Sequence, residues 1–80
     1  MQYSEVVSER IIKYCKEKNI TINKLATLSG MKQSTIENII KNNTKNPSLR
    51  SLHRITQGLD ITLSEFFDFP EINETEFDEE

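Results

Sequence analysis

TINKLATLSGMKQSTIENII, residues 21 to 40, decides how this chain folds. It reads as two short helices joined by a tight turn. Thr21 can cap the first, its hydroxyl accepting from a backbone N–H left free in the opening turn. Leu25, Ala26 and Leu28 give that helix an apolar side. Ser29-Gly30 breaks it, and Gly30 stands where a left-handed backbone is needed, which glycine adopts at little cost. A second helix opens near Lys32-Gln33, with Ile36, Ile39 and Ile40 at helical spacing. Its other face carries Gln33, Ser34, Thr35, Glu37 and Asn38.

A short helix with a buried Ile side and an amide-bearing outer side suits the DNA major groove. Gln and Asn can make paired hydrogen bonds to adenine there. Two helices around a Gly-containing turn form the helix-turn-helix arrangement. Amphipathic helix pairs are also common in small helical proteins that never touch DNA. The rest of the chain must therefore decide.

At 80 residues the chain is one domain, with just enough length to close a small core. Hydrophobic residues at 35%, two Gly, two Pro and no Trp favour a helical bundle over strands and turns. No apolar run approaches the ~20 residues that span a bilayer. The opening MQYSEVVSER lacks the basic start and apolar run of a signal peptide, so no membrane contact is expected. Cys15 is alone and cannot form an internal disulfide, which fits a cytoplasmic location.

The net charge of −3 is unevenly spread. Residues 71 to 80 hold six acids and no base, which leaves ten bases against seven acids in residues 1 to 70. From Thr21 to Gly58 the bases are Lys24, Lys32, Lys41, Lys45, Arg50 and Arg54, and the only acid is Glu37. The chain reads as a basic domain over residues 1–70 followed by an acidic, flexible tail over 71–80. Such asymmetry points to a polyanion-facing surface.

Taken in order, the first helix is expected from near Ser4, as its cap, to near Asn19. Val7, Ile11, Tyr14 and Cys15 form its buried stripe, with Ile12 partly exposed. Cys15 reads as a core residue, since no catalytic partner accompanies it. After the two helices already described, KNNTKNP (41–47) is a polar, basic surface loop. Asn42 or Asn43 can take the left-handed turn that ends the preceding helix. A fourth helix starts around Pro47-Ser48, with Asn46 or Ser48 as cap. Leu49, Leu52, Ile55, Thr56 and Leu59 form its inner stripe. His53 sits at its polar edge, and one His with one Cys cannot build a zinc site. A fifth helix starts at the capping box Thr62-Leu-Ser-Glu65 and stops at Pro70. Leu63, Phe66, Phe67 and Phe69 crowd this end. One of Phe66 and Phe67 can fill the core; the other, or Phe69, stays near the surface as a candidate dimer face.

With all five helices placed, the chain resembles the phage-repressor (Cro/C1, XRE-type) helix-turn-helix family. The residues that carry the resemblance are LATLSGMKQSTIENI from Leu25 to Ile39, PSLRSL from Pro47 to Leu52, and GLDITLSEFF from Gly58 to Phe67. The resemblance implies an all-α, five-helix bundle of the lambda-repressor-like type, usually a homodimer on a palindromic operator. It makes Gln33, Ser34, Thr35 and Asn38 the base readers. Lys41, Asn43, Thr44 and Lys45 match the loop beside the DNA backbone; Thr21, Asn23, Lys24 and Lys32 are further candidates for that backbone, and Leu63, Phe66, Phe67 and Phe69, from their clustering, for dimerisation. Four departures stand out, one of them Asn42 in place of a frequent Gly. Ile22 occupies a position where the family often has a phosphate-binding Gln. Lys32 replaces a small hydroxyl at the start of the third helix. Thr56 and Gly58 replace common Ala positions, which should weaken the fourth helix.

The function expected is that of a sequence-specific transcriptional regulator: a phage-type repressor, a restriction–modification controller or an antitoxin. Its partners would be double-stranded operator DNA, a second copy of itself and, for an antitoxin, a protein such as a toxin. The alternative is a protein-interaction module that has kept the fold. An enzyme is not expected: there is no Ser/His/Asp set, no paired-His metal motif and no Gly-rich phosphate loop, and so no cofactor.

Overall fold

The computed structural model describes residues 1–77. Five α-helices follow one another among them: α1 (Tyr3–Lys18), α2 (Ile22–Ser29), α3 (Gln33–Ile40), α4 (Leu49–Gly58) and α5 (Leu63–Phe66). A 3-10 helix over Pro70–Glu74 comes after them. The all-α bundle read from the sequence is therefore the fold.

α1 starts earlier than its sequence suggests. Gln2 is the capping residue, and its N–H donates to the Glu5 carboxylate at 3.3 Å. Ser4 is buried inside the helix. Asn19 ends it in the left-handed region at φ 55°, with Ile20 N–H donating back to the Cys15 carbonyl at 3.0 Å. Val6, Val7, Ile11 and Cys15 face inward, and burial pushes the Cys15 thiol above its ordinary pKa.

The α2–α3 corner forms as its residues dictate. Thr21 Oγ1 accepts from the Lys24 N–H at 3.0 Å. Gly30 turns the chain at φ 66°, and Met31 N–H donates to the Ala26 carbonyl at 3.0 Å. A side chain at Gly30 would meet open space, so the positive φ alone demands glycine.

Two apolar assignments differ. Leu28 is 48% exposed, and Ser29 is buried in its place. At about 100° per residue, Ser29 falls between the directions of Leu25 and Ala26 while Leu28 falls outside them. Leu49 is 65% exposed, because it is the first residue of α4 and projects past the end of the core. The rest of the α4 stripe, Leu52, Ile55, Thr56 and Leu59, is buried. Ser48 rather than Asn46 caps α4, accepting from the Ser51 N–H at 3.0 Å.

α5 is a single turn. Its capping box is complete: Glu65 N–H donates to Thr62 Oγ1 and Thr62 N–H to Glu65 Oε1, each at 3.0 Å. The helix ends at Phe66, well before Pro70.

The sequence reading has a flexible tail leave the fold at Glu71. The structure instead seats Pro70–Glu74 against α1 and brings Glu76 beside Gln2 as an isolated parallel bridge. Tyr3 N–H donates to the Glu76 carbonyl at 3.2 Å, and Glu76 N–H donates to the Met1 carbonyl at 3.0 Å. The Phe77 ring lies 5.3 Å from that of Tyr3. Residues 78–80, the rest of that tail, lie outside the described residues.

Candidate nucleic-acid interface

α3 is held from behind. Ile36 is completely buried and Ile39 nearly so, in the core shared with α1, α2 and α4. Burying those two forces Gln33, Ser34, Thr35 and Asn38 onto the exposed side of the same eight-residue helix. The four residues expected to read bases thus share one helix and one accessible side.

Hydrogen bonds run along this surface. Asn23 Nδ2 of α2 donates to Gln33 Oε1 at 2.6 Å, and Gln33 Nε2 donates to Glu37 Oε1 at 2.7 Å. Glu37 Oε2 lies 3.8 Å from Lys41 Nζ. The Gln33 amide makes one bond at each end, which orients it and leaves one N–H and one lone pair for a base edge. Glu37 would by itself repel phosphates, and Lys41 matches its charge. Sequence reasoning saw Glu37 as part of a polar face and as the one acid between Thr21 and Gly58, without its two partners.

The loop after α3 is tied to Asn38. The Asn43 and Thr44 N–H groups donate to its carbonyl at 2.9 and 3.2 Å, and Asn43 Nδ2 donates to its Oδ1 at 3.4 Å. Asn42, not Asn43, takes the left-handed turn, at φ 64°. Lys41, Asn43 and Lys45 are exposed and Thr44 is half-buried.

On α2, Thr21, Asn23 and Lys24 are exposed, with the Thr21 hydroxyl already used as the cap. Ile22 is half-buried against the core, an apolar anchor in place of a polar contact. Lys32 is exposed, and its side chain makes no capping bond to α3. Arg54 of α4 reaches the corner itself, Nη1 donating to the Gly30 carbonyl at 3.4 Å. Arg50 and Arg54 entered the sequence reading only as charge. Their four-residue spacing, which stacks them on one side of α4, was the available signal.

The second cluster, around α5, divides. Phe66 is completely buried, with its ring 5.1 Å from that of Phe67 in an edge-on arrangement. Phe66 is therefore a core residue and drops out of the candidate dimer surface, because full burial leaves it nothing to offer a partner. Leu63, Phe67 and Phe69 remain half-buried. Arg10 of α1, which the sequence did not single out, organises this end. Its Nε donates to the Phe66 carbonyl at 2.8 Å and its Nη2 to the Glu65 carbonyl at 2.9 Å. The guanidinium also lies 4.5 Å from the centre of the Phe69 ring.

His53 is exposed. No group of His, Cys, Asp and Glu suited to a metal ion occurs among the described residues. No helix among them is long and apolar enough to cross a membrane.

Comparison with known proteins agrees with this geometry. Residues 10–71 match the Cro/C1-type HTH DNA-binding domain. The HTH-type transcriptional regulator SinR of Bacillus subtilis (strain 168) is 33% identical over 73 residues, covering 91% of this chain and 64% of SinR. The chain thus spans a little under two thirds of that relative. Among solved structures, prophage Lp1 protein 11 superposes with a TM-score of 0.81 at 35% identity, covering 91% of this chain and 97% of that one. The restriction-modification controller protein C.Esp1396I superposes with a TM-score of 0.76 at 30% identity, covering 85% and 87%.

Proposed function

The chain belongs to the Cro/C1-type helix-turn-helix DNA-binding family, and from that premise we propose that it is a sequence-specific transcriptional regulator. α3 enters the major groove, with Gln33, Ser34, Thr35 and Asn38 toward base edges. Lys41, Asn43, Thr44 and Lys45 follow the phosphate backbone beside it, and Thr21, Asn23, Lys24 and Lys32 approach it from the other side. One observation carries this reading. The polar side of α3 is exposed at the centre of a segment, residues 21–58, with six basic residues and one acid.

Two copies act together on a two-fold operator, pairing through Leu63, Phe67 and Phe69. A single module of this size buries a modest DNA interface, and half-sites about one helical turn apart supply the rest of the affinity. The protein works in the cytoplasm by binding, without an enzymatic step. A toxin or other protein partner is a further occupant for the aromatic end.

Selection of bound duplexes from random DNA tests the proposal. A single enriched, two-fold symmetric motif is expected. Asn38→Ala and Gln33→Ala should each relax preference at their own base pair by ~1–3 kcal/mol. No enrichment, with weak binding insensitive to salt, would favour a protein-interaction module instead. The bonds that tie the Gln33 amide to Asn23 and Glu37 and the apolar Ile22 are the observations on that side.

A further inference from the structure

At the margin of the surface already described, one feature has both charge and shape. An open groove runs between the start of α3 and the first turns of α4. Lys32 and Thr35 form one wall, Arg50, Ser51 and Arg54 the other, and the Gly30 corner closes its end. Its three charged residues are all cations, and no carboxylate lines it. Lys32, Arg50 and Arg54 have no ion-pair partner among the described residues, where the ion pairs are Lys13–Glu17 and Lys41–Glu37. Arg54 spends one N–H on the Gly30 carbonyl, which fixes its guanidinium at the groove end with its other donors unspent. Three uncompensated cations across one concave surface hold a strong positive potential.

We infer that this groove is a second phosphate clamp, in which Arg50 and Arg54, with Lys32, hold the sugar-phosphate backbone beside the start of α3, apart from the loop at 41–45, none of whose residues lines it. This deepens the proposed function and rests on it. Thr35 places the groove relative to the bases. Of the four residues turned toward the bases it is the outermost, about 100° around the helix from Ser34, so the groove opens at the margin of the reading face. When a helix lies in the major groove, the surface flanking it meets the backbone. The cations there therefore add affinity without reading sequence. Arg suits this role because its planar fork can bind two oxygens of one phosphate.

The test uses the full chain and a non-specific duplex, with affinity measured across a salt series. Removing one cation from one phosphate should flatten the slope of log affinity against log salt by about 0.9. Arg50→Gln with Arg54→Gln is expected to flatten it by one to two times that amount. Arg50→Lys with Arg54→Lys should recover most of that slope, since charge sets it. On the selected operator, ethylation interference should no longer mark one group of phosphates in the Gln variant. In Lys41→Ala a different group should disappear. Because Arg54 also supports the Gly30 corner, a thermal melt of each variant checks the fold. If Arg54→Gln unfolds the domain, Arg50→Gln alone carries the test, with the effect of one phosphate expected. An unchanged slope and interference pattern in a folded variant, while the wild type binds normally, overturns the clamp and leaves the regulator reading intact. That result would fit an acidic protein segment as the occupant. A wild type that binds no DNA overturns both.

Discussion

Gly58 of α4 stands against Ser29 of α2 so closely that a Cβ on it would collide with the Ser29 hydroxyl. The same Cβ would come within 3.1 Å of the Ser29 nitrogen and 3.3 Å of a Leu25 methyl. From sequence, Gly58 looks like a weak point in a helix, worth about 1 kcal/mol against Ala. In the fold it is where two helices touch. Gly58→Ala should therefore destabilise: crowding of ~1–3 kcal/mol outweighs the propensity gain. Calorimetry should show a lower Tm, and a higher Tm would mean that α2 and α4 part easily.

The Ser29 hydroxyl on the other side of that contact is buried and has no hydrogen-bond partner among the described residues. An unpaired buried hydroxyl opposes folding by ~1–3 kcal/mol. Ser29→Ala should be neutral or stabilising, and it should reduce the harm done by Gly58→Ala, since it removes the first atom the new methyl meets. In a double-mutant cycle by chemical denaturation the two changes should couple favourably. Simple additivity would show that the backbone nitrogen and Leu25 set the spacing instead.

Arg10 is the tie between α1 and the far end of the chain. Its bonds to the Glu65 and Phe66 carbonyls satisfy the end of a one-turn helix too short to hold itself. Arg10→Met keeps the apolar stem and removes the donors. A loss of ~1.5–3 kcal/mol in denaturant unfolding is expected, as for hydrogen bonds from a charged group. A loss within error would mean that the buried Phe66 side chain alone anchors α5.

What could be read in the sequence was local chemistry. The Thr21 cap, the Gly30 turn and the Thr62–Glu65 capping box each involve groups within a few residues, and each formed as its composition demanded. The polar outer side of α3 was legible for a related reason, because Ile36 and Ile39 can face only one way. What was not legible depends on partners distant in sequence. Arg10 gains its role from carbonyls 55 and 56 residues away. Gly58 is explained by Ser29, and the exposure of Leu49 by where the core happens to end. The segment after Pro70 looked too acidic to pack. It docks largely through main-chain bonds to Met1 and Tyr3, which side-chain composition does not report.

Lys41 and Lys45 should not be equivalent in DNA binding. In the proposed complex each presents one charge to a phosphate, so removing either should weaken all sequences alike and flatten the salt slope by about 0.9. Lys41 also neutralises Glu37. Lys41→Ala leaves that carboxylate facing the DNA and should lose more affinity than Lys45→Ala. Adding Glu37→Gln should erase the difference. Equal losses from the two lysines would place Glu37 outside the field of the DNA.

The segment after Pro70 is expected to contribute modestly to stability. It is tied to the N-terminus by two main-chain bonds and the Tyr3–Phe77 contact, and Met1, Glu76 and Phe77 are all exposed, Phe77 by 81%. Truncation after Pro70 should lower stability by about 1 kcal/mol, or roughly 4–8 °C in Tm for a domain of this size. It also removes six acids, so non-specific DNA affinity should rise. An unchanged Tm would show that these contacts add nothing beyond the chain entropy they restrict.

In the proposed dimer the half-buried aromatic end is the contact surface. With Phe66 inside the core, Phe67 is the residue best placed to meet a second copy. Phe69 already has a guanidinium on its ring, and Leu63 offers less area. Phe67 touches Phe66 edge-on yet keeps part of its surface in solvent. A lysine there can turn its ammonium outward and keep its stem on Phe66, so Phe67→Lys should fold. Across a two-fold axis it would put two like charges into an apolar contact, which opposes pairing. Sedimentation at micromolar concentration should show the wild type as a dimer and Phe67→Lys as a folded monomer. The monomer should lose affinity for the two-half-site operator far more than for a single half-site. A Phe67→Lys protein that sediments as a dimer would move the interface away from α5. A wild type that stays monomeric with and without operator would remove the homodimer altogether.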